Sequence, residues 1–442
     1  MVIRNTVNNC KMKKDNFLLF LIIINLANTI IMLIGGKALN LKYILLIFNL
    51  LGITFCPKNK MLPLIFYLHC NSALYDDIGF KYLFNFAIVI SVFKLMIIYK
   101  QKLNKKNLFL YIIVLLWEIL LILKSNDFTG WLSLVSWASS YILLIAYSTN
   151  KENVDFSDIY KYFATGFAMA FLCGATHPIN RYGINIPTKF RYTGLLRDPN
   201  YYSMDAIFLI FSAPTYAKLN NKKPLIYMLL FFALGITSIS KTFIILVIIG
   251  VFLKIISKLD RLKIKTKNIF LFIIGFTILI IILIQNNILE VVKEKYLYRR
   301  DTTTLFTGRD YIQSYYLNEL FSSPSNLLLG NSVTKYSKIM GIGQEAGREF
   351  FIEKSAHNTY LDILLSWGVI GTGIYFFFIY SVLIAMEKTH NNNKRVYNKD
   401  FFITGILFAI GLLALSYLAI DVFAIFILYL LILKYSLYEK TQ

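Results

Sequence analysis

Long apolar runs separated by short polar connections recur from one end of the chain to the other, most of them long enough to carry a helix across about 30 Å of hydrocarbon. They fall at 17–36, 41–56, 61–75, 80–99, 107–124, 130–147, 160–176, 201–219, 225–240, 242–257, 268–289, 358–386, 401–418 and 420–437. The run at 61–75 is short and holds His69 and Asn71. The alternation of a β-barrel is absent, and backbone groups within lipid must be satisfied inside their own segment. The pattern therefore predicts an all-α, polytopic membrane protein of about 12 to 14 transmembrane helices. One polar stretch, 290–357, is far longer than the other connections, and it predicts a single large outward-facing loop.

Composition agrees with the pattern. Of 442 residues, 57% are hydrophobic, and the mean hydropathy of +0.60 is well above that of a soluble chain this long. No composition shift besides the loop marks a soluble domain, so residues 1–442 read as one membrane domain. The first run lacks a small-residue cleavage site and reads as a retained span.

The excess of Lys+Arg (46) over Asp+Glu (24) suggests nucleic acid until its distribution is considered. The basic residues sit in short connections: Lys11, Lys13 and Lys14, Lys58 and Lys60, Lys100 to Lys106, Lys218 to Lys223, Lys258 to Lys267, and Lys388 to Lys399. Such clusters mark cytoplasmic loops, and with these spans all of them fall on one side by parity. Both termini are then cytoplasmic and no nucleic-acid partner is implied. Asp76 and Asp77, the Asn126-Asp127 turn, the segment from His177 to Asn200 and the long loop fall on the outer side.

The polar groups of that outer side are the candidates for chemistry. Asp198-Pro199-Asn200 can cap the helix that follows, whereas Arg191 and Arg197 beside it are planar forks suited to phosphate. Ser238-Ile239-Ser240-Lys241-Thr242 interrupts an apolar stretch from Leu225 to Phe252 and predicts a hairpin of two short helices with Lys241 at the outer surface. That lysine either snorkels to the interface or holds an anionic headgroup. Thr307-Gly308-Arg309-Asp310 predicts the start of an amphipathic helix through Tyr311, Tyr315 and Leu320, with Thr307 as its cap. Arg309 at a helix start is unfavourable unless it serves an anion; the alternative is a surface ion pair with Asp310. His357 stands at the outer end of the long loop, where a neutral imidazole can accept a proton from a sugar hydroxyl or simply hydrogen-bond at a helix start.

No metal ligand set is expected from spacing: there is no Asp-x-Asp, no HExxH and no clustered His or Cys. Cys10, Cys56, Cys70 and Cys173 are scattered, without a zinc or disulfide pattern. A Gly-x-x-x-x-Gly-Lys loop is also lacking, which argues against an ATP-driven machine. Glu118, Asp205 and Asp421 are the main ionisable residues inside apolar runs, a thin set for a carrier or pore. Gly368-Val369-Ile370-Gly371-Thr372-Gly373 predicts close helix packing.

Three of these segments resemble the O-antigen polymerase and O-antigen ligase superfamily of bacterial envelope glycosyltransferases. His357-Asn358-Thr359-Tyr360-Leu361 followed by Gly368-Val369-Ile370-Gly371 looks like that family's His-Asn pattern. Thr307-Gly308-Arg309 looks like the Gly-Arg that opens its loop helix. Gly194-Leu195-Leu196-Arg197-Asp198-Pro199-Asn200 is similar to its Gly-rich, Pro-Asn segment. The resemblance covers residues 160 to 440. Where members commonly have Ser-Arg, this chain has Ser240-Lys241, which keeps the charge and loses the fork.

The resemblance implies metal- and cofactor-independent polymerisation of polyprenyl-diphosphate-linked repeat units into O-antigen or capsular polysaccharide, at the outer face of the bacterial inner membrane. Arg309 and Lys241 would serve the diphosphate, with Arg191 and Arg197 as reinforcement. His357 would be the base, and Asp198, Asn200 and Asn358 would support the site. Inversion at the anomeric carbon is expected by analogy. Implied membrane partners are a chain-length regulator and a flippase. Two alternatives stand beside it: a ligase moving finished glycan to lipid A core or protein, and a transporter of the same lipid-linked sugar.

Overall fold

The computed structural model describes residues 18–23, 26–27, 39–71, 83–125, 129–149, 154–174, 192–196, 198–259, 309–331, 340–345, 348–353, 357–388, 399–415, 417 and 423–436. The described residues form a helical bundle. Its elements are α1 (Leu39–Phe55), α2 (Lys58–Cys70), α3 (Leu83–Phe93, continuing as a π-helical turn Lys94–Ile98), α4 (Lys105–Ser125), α5 (Thr129–Thr149) and α6 (Phe156–Gly174). Then follow α7 (Pro199–Leu219), α8 (Pro224–Ile236), α9 (Lys241–Leu259), α10 (Arg309–Phe321), α11 (Pro324–Leu329), α12 (Thr359–Lys388), α13 (Lys399–Gly411) and α14 (Phe423–Ser436). Every apolar run other than 17–36 and 268–289 carries one of these helices. Residues 268–289 lie outside the described set.

Among the described residues, two helical stretches are long and apolar enough by themselves to cross a membrane, Lys105–Lys124 and Thr359–Val382. Shorter apolar stretches include Leu134–Ser148 and Pro224–Ile236. α2 has 13 residues, about 20 Å at 1.5 Å per residue, yet Lys60 through Cys70 are all buried. A helix apolar on every side belongs in a core, and α2 is enclosed there. Its polar residues are accommodated rather than excluded, as His69 shows below.

Connections at the two ends of the bundle keep the alternating order of the chain. At one end Lys58 Nζ donates to Gln101 Oε1 at 2.6 Å, Lys60 pairs with Asp158 at 2.5 Å and Ser157 Oγ donates to Asn220 Oδ1 at 3.1 Å. Lys254 and Asp400, 3.6 Å apart, tie the end of α9 to the start of α13. The starts of α7, α9 and α12 lie at the opposite end.

The Gly-containing stretch packs closely at two of its three glycines. Gly368 breaks α12 with φ +63°, in the left-handed region that suits glycine. A Cβ there would run into the backbone of Leu328, and one on Gly371 would meet the Trp117 indole, whereas Gly373 faces open space. The break receives the loop: Asn331 N–H donates to Leu365 O at 3.0 Å.

The long loop contains more than a helix. Besides α10 and α11 it forms an antiparallel hairpin, β1 (Met340–Glu345) with β2 (Arg348–Glu353), in which Ile342 faces Phe351 and Glu345 faces Arg348. The bundle itself is all-α as expected, and the hairpin is an addition in the loop, where the sequence predicts only the helix through Tyr311, Tyr315 and Leu320. Met340–Glu345 has only one β-branched residue, so its pairing with β2 rather than intrinsic propensity makes it a strand.

Candidate functional site

Three helix starts that are distant in sequence are joined by hydrogen bonds and ring contacts at one end of the bundle. The first is α7. Asp198 caps it, its carboxylate accepting from Asn200 N–H at 2.6 Å, with Pro199 at the first helical position. For Asp198 the capping reading is the one observed. The preceding segment is pinned by Tyr192 N–H donating to Thr237 O at 3.2 Å. Gly194 turns with φ +59°, and an added Cβ would press on the Tyr202 ring.

The second start is α9. The hairpin predicted around Ser238–Thr242 is present, with α8 ending at Ile236 and α9 beginning at Lys241. Ser240 Oγ donates to Asn200 Oδ1 at 2.9 Å and accepts from Phe243 N–H at 3.4 Å, so it caps α9 and ties it to α7 at once. Ser238 and Ser240 are buried, and Lys241 is partly buried.

The third is α12. Asn358 Oδ1 accepts from Tyr360 N–H at 3.1 Å and from Leu361 N–H at 3.2 Å, the geometry of an N-cap. Thr359 donates twice to the turn after α13, from N–H to Leu412 O at 2.8 Å and from Oγ1 to Leu415 O at 2.6 Å. Tyr360 OH donates to Ala409 O at 2.9 Å. On its other side the same turn contributes Tyr417, whose ring lies edge-on to Tyr201 of α7 at 5.1 Å. The 409–417 segment thus bridges the starts of α12 and α7.

Strain gathers here. Four non-glycine residues have positive φ among the described residues, and two of them stand immediately before these starts, Ile239 (+48°) and His357 (+52°). A β-branched residue in that region is a genuine outlier, costing about 1–2 kcal/mol. Such conformations persist only where the surroundings over-determine them. Here the Ser240–Asn200 bond and the Asn358–Thr359 contacts supply that constraint.

The loop helix α10 begins at Arg309, as expected. Tyr316 and Leu320, one turn apart, pack on Leu361 and Leu365 of α12. α10 is therefore fixed to the helix that His357 and Asn358 introduce. The side chains of Arg309, Tyr311 and Tyr315, and the residues Thr307, Gly308, Arg191 and Arg197, lie outside the described set. Of the expected site residues, Asp198 and Asn200 are hydrogen-bonded to one another and through Ser240 to the helix that Lys241 begins, while Asn358, next to His357, caps α12, which the Tyr417 ring relates to α7.

The reading of the sequence missed Thr359 and the 409–417 turn, because an ordinary apolar helix end carries no local signal for a distant partner. Two buried ionisable groups also gain partners the sequence did not reveal. Glu118 accepts a hydrogen bond from the Trp367 indole, and Asp205 meets His69 and Tyr429.

The sequence matches no protein-family model and no curated protein.

Proposed function

We propose that the chain is a polytopic inner-membrane glycosyltransferase that polymerises polyprenyl-diphosphate-linked oligosaccharide units on the outer face. The observation that carries this reading is the gathering of the α7, α9 and α12 starts with Lys241 and His357. Helix starts carry the positive end of the dipole, and beside a lysine they favour a phosphate group even where side chains cap some of their N–H groups. A leaving diphosphate needs that environment, because negative charge grows on it as the glycosidic bond breaks.

A membrane setting is supported by surfaces as well as by lengths. Phe109, Ile112, Leu116, Leu120 and Leu123 form one stripe down α4, each at least 45% exposed. On α8, Leu225, Ile226, Leu229 and Leu230 are exposed together. Apolar patches of this extent suit lipid rather than water. With the lysine-rich end in the cytoplasm, the joined helix starts face outward and both termini lie inside.

In the proposed reaction the hydroxyl oxygen of the acceptor sugar attacks the anomeric carbon opposite the diphosphate. The carbon–oxygen bond to the diphosphate breaks and its electron pair leaves with that group. The hydroxyl proton passes to the His357 imidazole, and configuration inverts. Lys241 and Arg309, with Arg191 and Arg197, offset the charge on the leaving diphosphate. Asn358 and Thr359 fix the backbone at His357, while Asp198 and Asn200 fix α7 against Lys241. No step calls for a metal or a nucleotide.

The test is incubation of the purified chain with a polyprenyl-diphosphate repeat unit and no second acceptor. A ladder of lengthened lipid-linked glycan is the expected result. Product that forms only when lipid A core or protein is added would replace polymerase by ligase. Movement of the lipid-linked unit across vesicles without any new glycosidic bond would replace both by a transporter.

A further inference from the structure

Within the core, away from the joined helix starts, three metal-ligating side chains from two helices meet. His69 and Cys70 end α2, and Asp205 lies in the second turn of α7. All three are at most 1% exposed. One donor atom from each lies within 4.8 Å of the other two.

The two carboxylate oxygens of Asp205 have different partners. Oδ2 is 3.0 Å from His69 Nε2 and 3.9 Å from Cys70 Sγ. Oδ1 accepts from Tyr429 OH of α14 at 2.6 Å, and is 3.2 Å from His69 Nε2. One oxygen is therefore turned toward both the imidazole and the thiol while a phenol holds the other. Carboxylates that bind metals are commonly fixed in this way by an outer hydrogen bond.

The geometry points to a buried zinc-class cation site built from His69 Nε2, Cys70 Sγ and Asp205 Oδ2. Zinc accepts this mixture of nitrogen, sulfur and oxygen donors. At bond lengths of about 2.0–2.3 Å, neighbouring ligand atoms of a tetrahedron lie about 3.3–3.8 Å apart. The observed 3.0 and 3.9 Å separations bracket that range. Charge favours the same assignment: a thiolate and a carboxylate together neutralise a divalent ion, so the loaded site carries no net charge into an apolar core. His69 Nδ1 has no hydrogen-bond partner among the described residues and Nε2 faces Asp205, so Nε2 is the ring atom that would take the metal. The ion would bind α2 to α7 beneath the Asp198–Asn200 cap. Three protein ligands leave the fourth tetrahedral position to a water, and the site is independent of the transferase reading.

The experiment measures metal in the full-length protein purified in detergent, then replaces it with cobalt. The expected result is about one zinc per chain and, with Co2+, a near-ultraviolet thiolate-to-cobalt charge-transfer band. Cys70→Ser, close in size, should keep the helical circular dichroism and lose the band, and His69→Gln should lower the bound stoichiometry at least tenfold. Wild-type protein that contains no zinc and takes up neither Zn2+ nor Co2+ overturns the proposal. So does a charge-transfer band that survives in Cys70→Ser. Should a variant fail to fold, the wild-type cobalt spectrum decides alone, since a metal without thiolate ligation is not this site.

Discussion

Ser240 Oγ and Asn200 Oδ1 are 2.9 Å apart and 40 residues apart in sequence, and their hydrogen bond fixes the start of α9 on the start of α7. Both residues are buried. Separating the two helix starts leaves polar groups without their partner in a core that offers few replacements.

Asn200→Ala and Ser240→Ala should each destabilise the protein by about 1–3 kcal/mol, and the double variant should cost less than their sum. Thermal or denaturant unfolding of the four proteins measures the coupling. Additive losses would show that the two side chains do not act as a pair.

Replacement of His357 tests the proposed base. His357→Ala should lower glycan extension by about 100 to 10,000-fold while lipid-linked substrate still reaches the outer leaflet. Undiminished extension would remove His357 from the reaction. Because the residue carries φ +52°, His357→Asn is the better-matched control for the backbone, since asparagine tolerates that conformation.

Arg309→Lys should lose most of the activity, because one ammonium cannot reproduce the two parallel hydrogen bonds of a guanidinium to phosphate. Chain extension in membranes containing equal amounts of each protein gives the comparison. Full activity would make Arg309 a surface residue at the start of α10.

Gly368→Ala should destabilise by more than the usual cost of alanine at positive φ. The new Cβ would meet the Leu328 backbone as well as adopt a left-handed conformation. A lowered melting temperature and easier proteolysis of the 324–331 segment are expected. Unchanged values for both would mean that the break in α12 yields without displacing the loop.

Ile239→Gly should raise stability or leave it unchanged, since it relieves about 1–2 kcal/mol of backbone strain against the entropy cost of glycine. Activity should fall if the strained turn holds Lys241 in place. Unfolding curves and extension assays on the same preparation separate the two effects, and a rise in both would show that the strain serves no purpose in the site.

Much of the helical framework was legible from the apolar runs, because each long run must satisfy its own backbone wherever it is buried. Local capping was legible at Asp198-Pro199-Asn200, because a cap follows rules that operate within one turn. The hairpin at 340–353 was not, since its strands depend on each other. The run at 61–75 looked weak because it is short and polar at its end, but that end is where Asp205 receives His69.

The sequence by itself determined where helices form, which connections are basic and which polar residues stand near helix starts, since periodicity, charge and capping act over a few residues. Only the tertiary structure decided which of those starts meet. Thr359 reaches Leu412 and Leu415, Ser240 reaches Asn200, and Asp205 collects His69, Cys70 and Tyr429 because packing brings together groups that spacing leaves far apart.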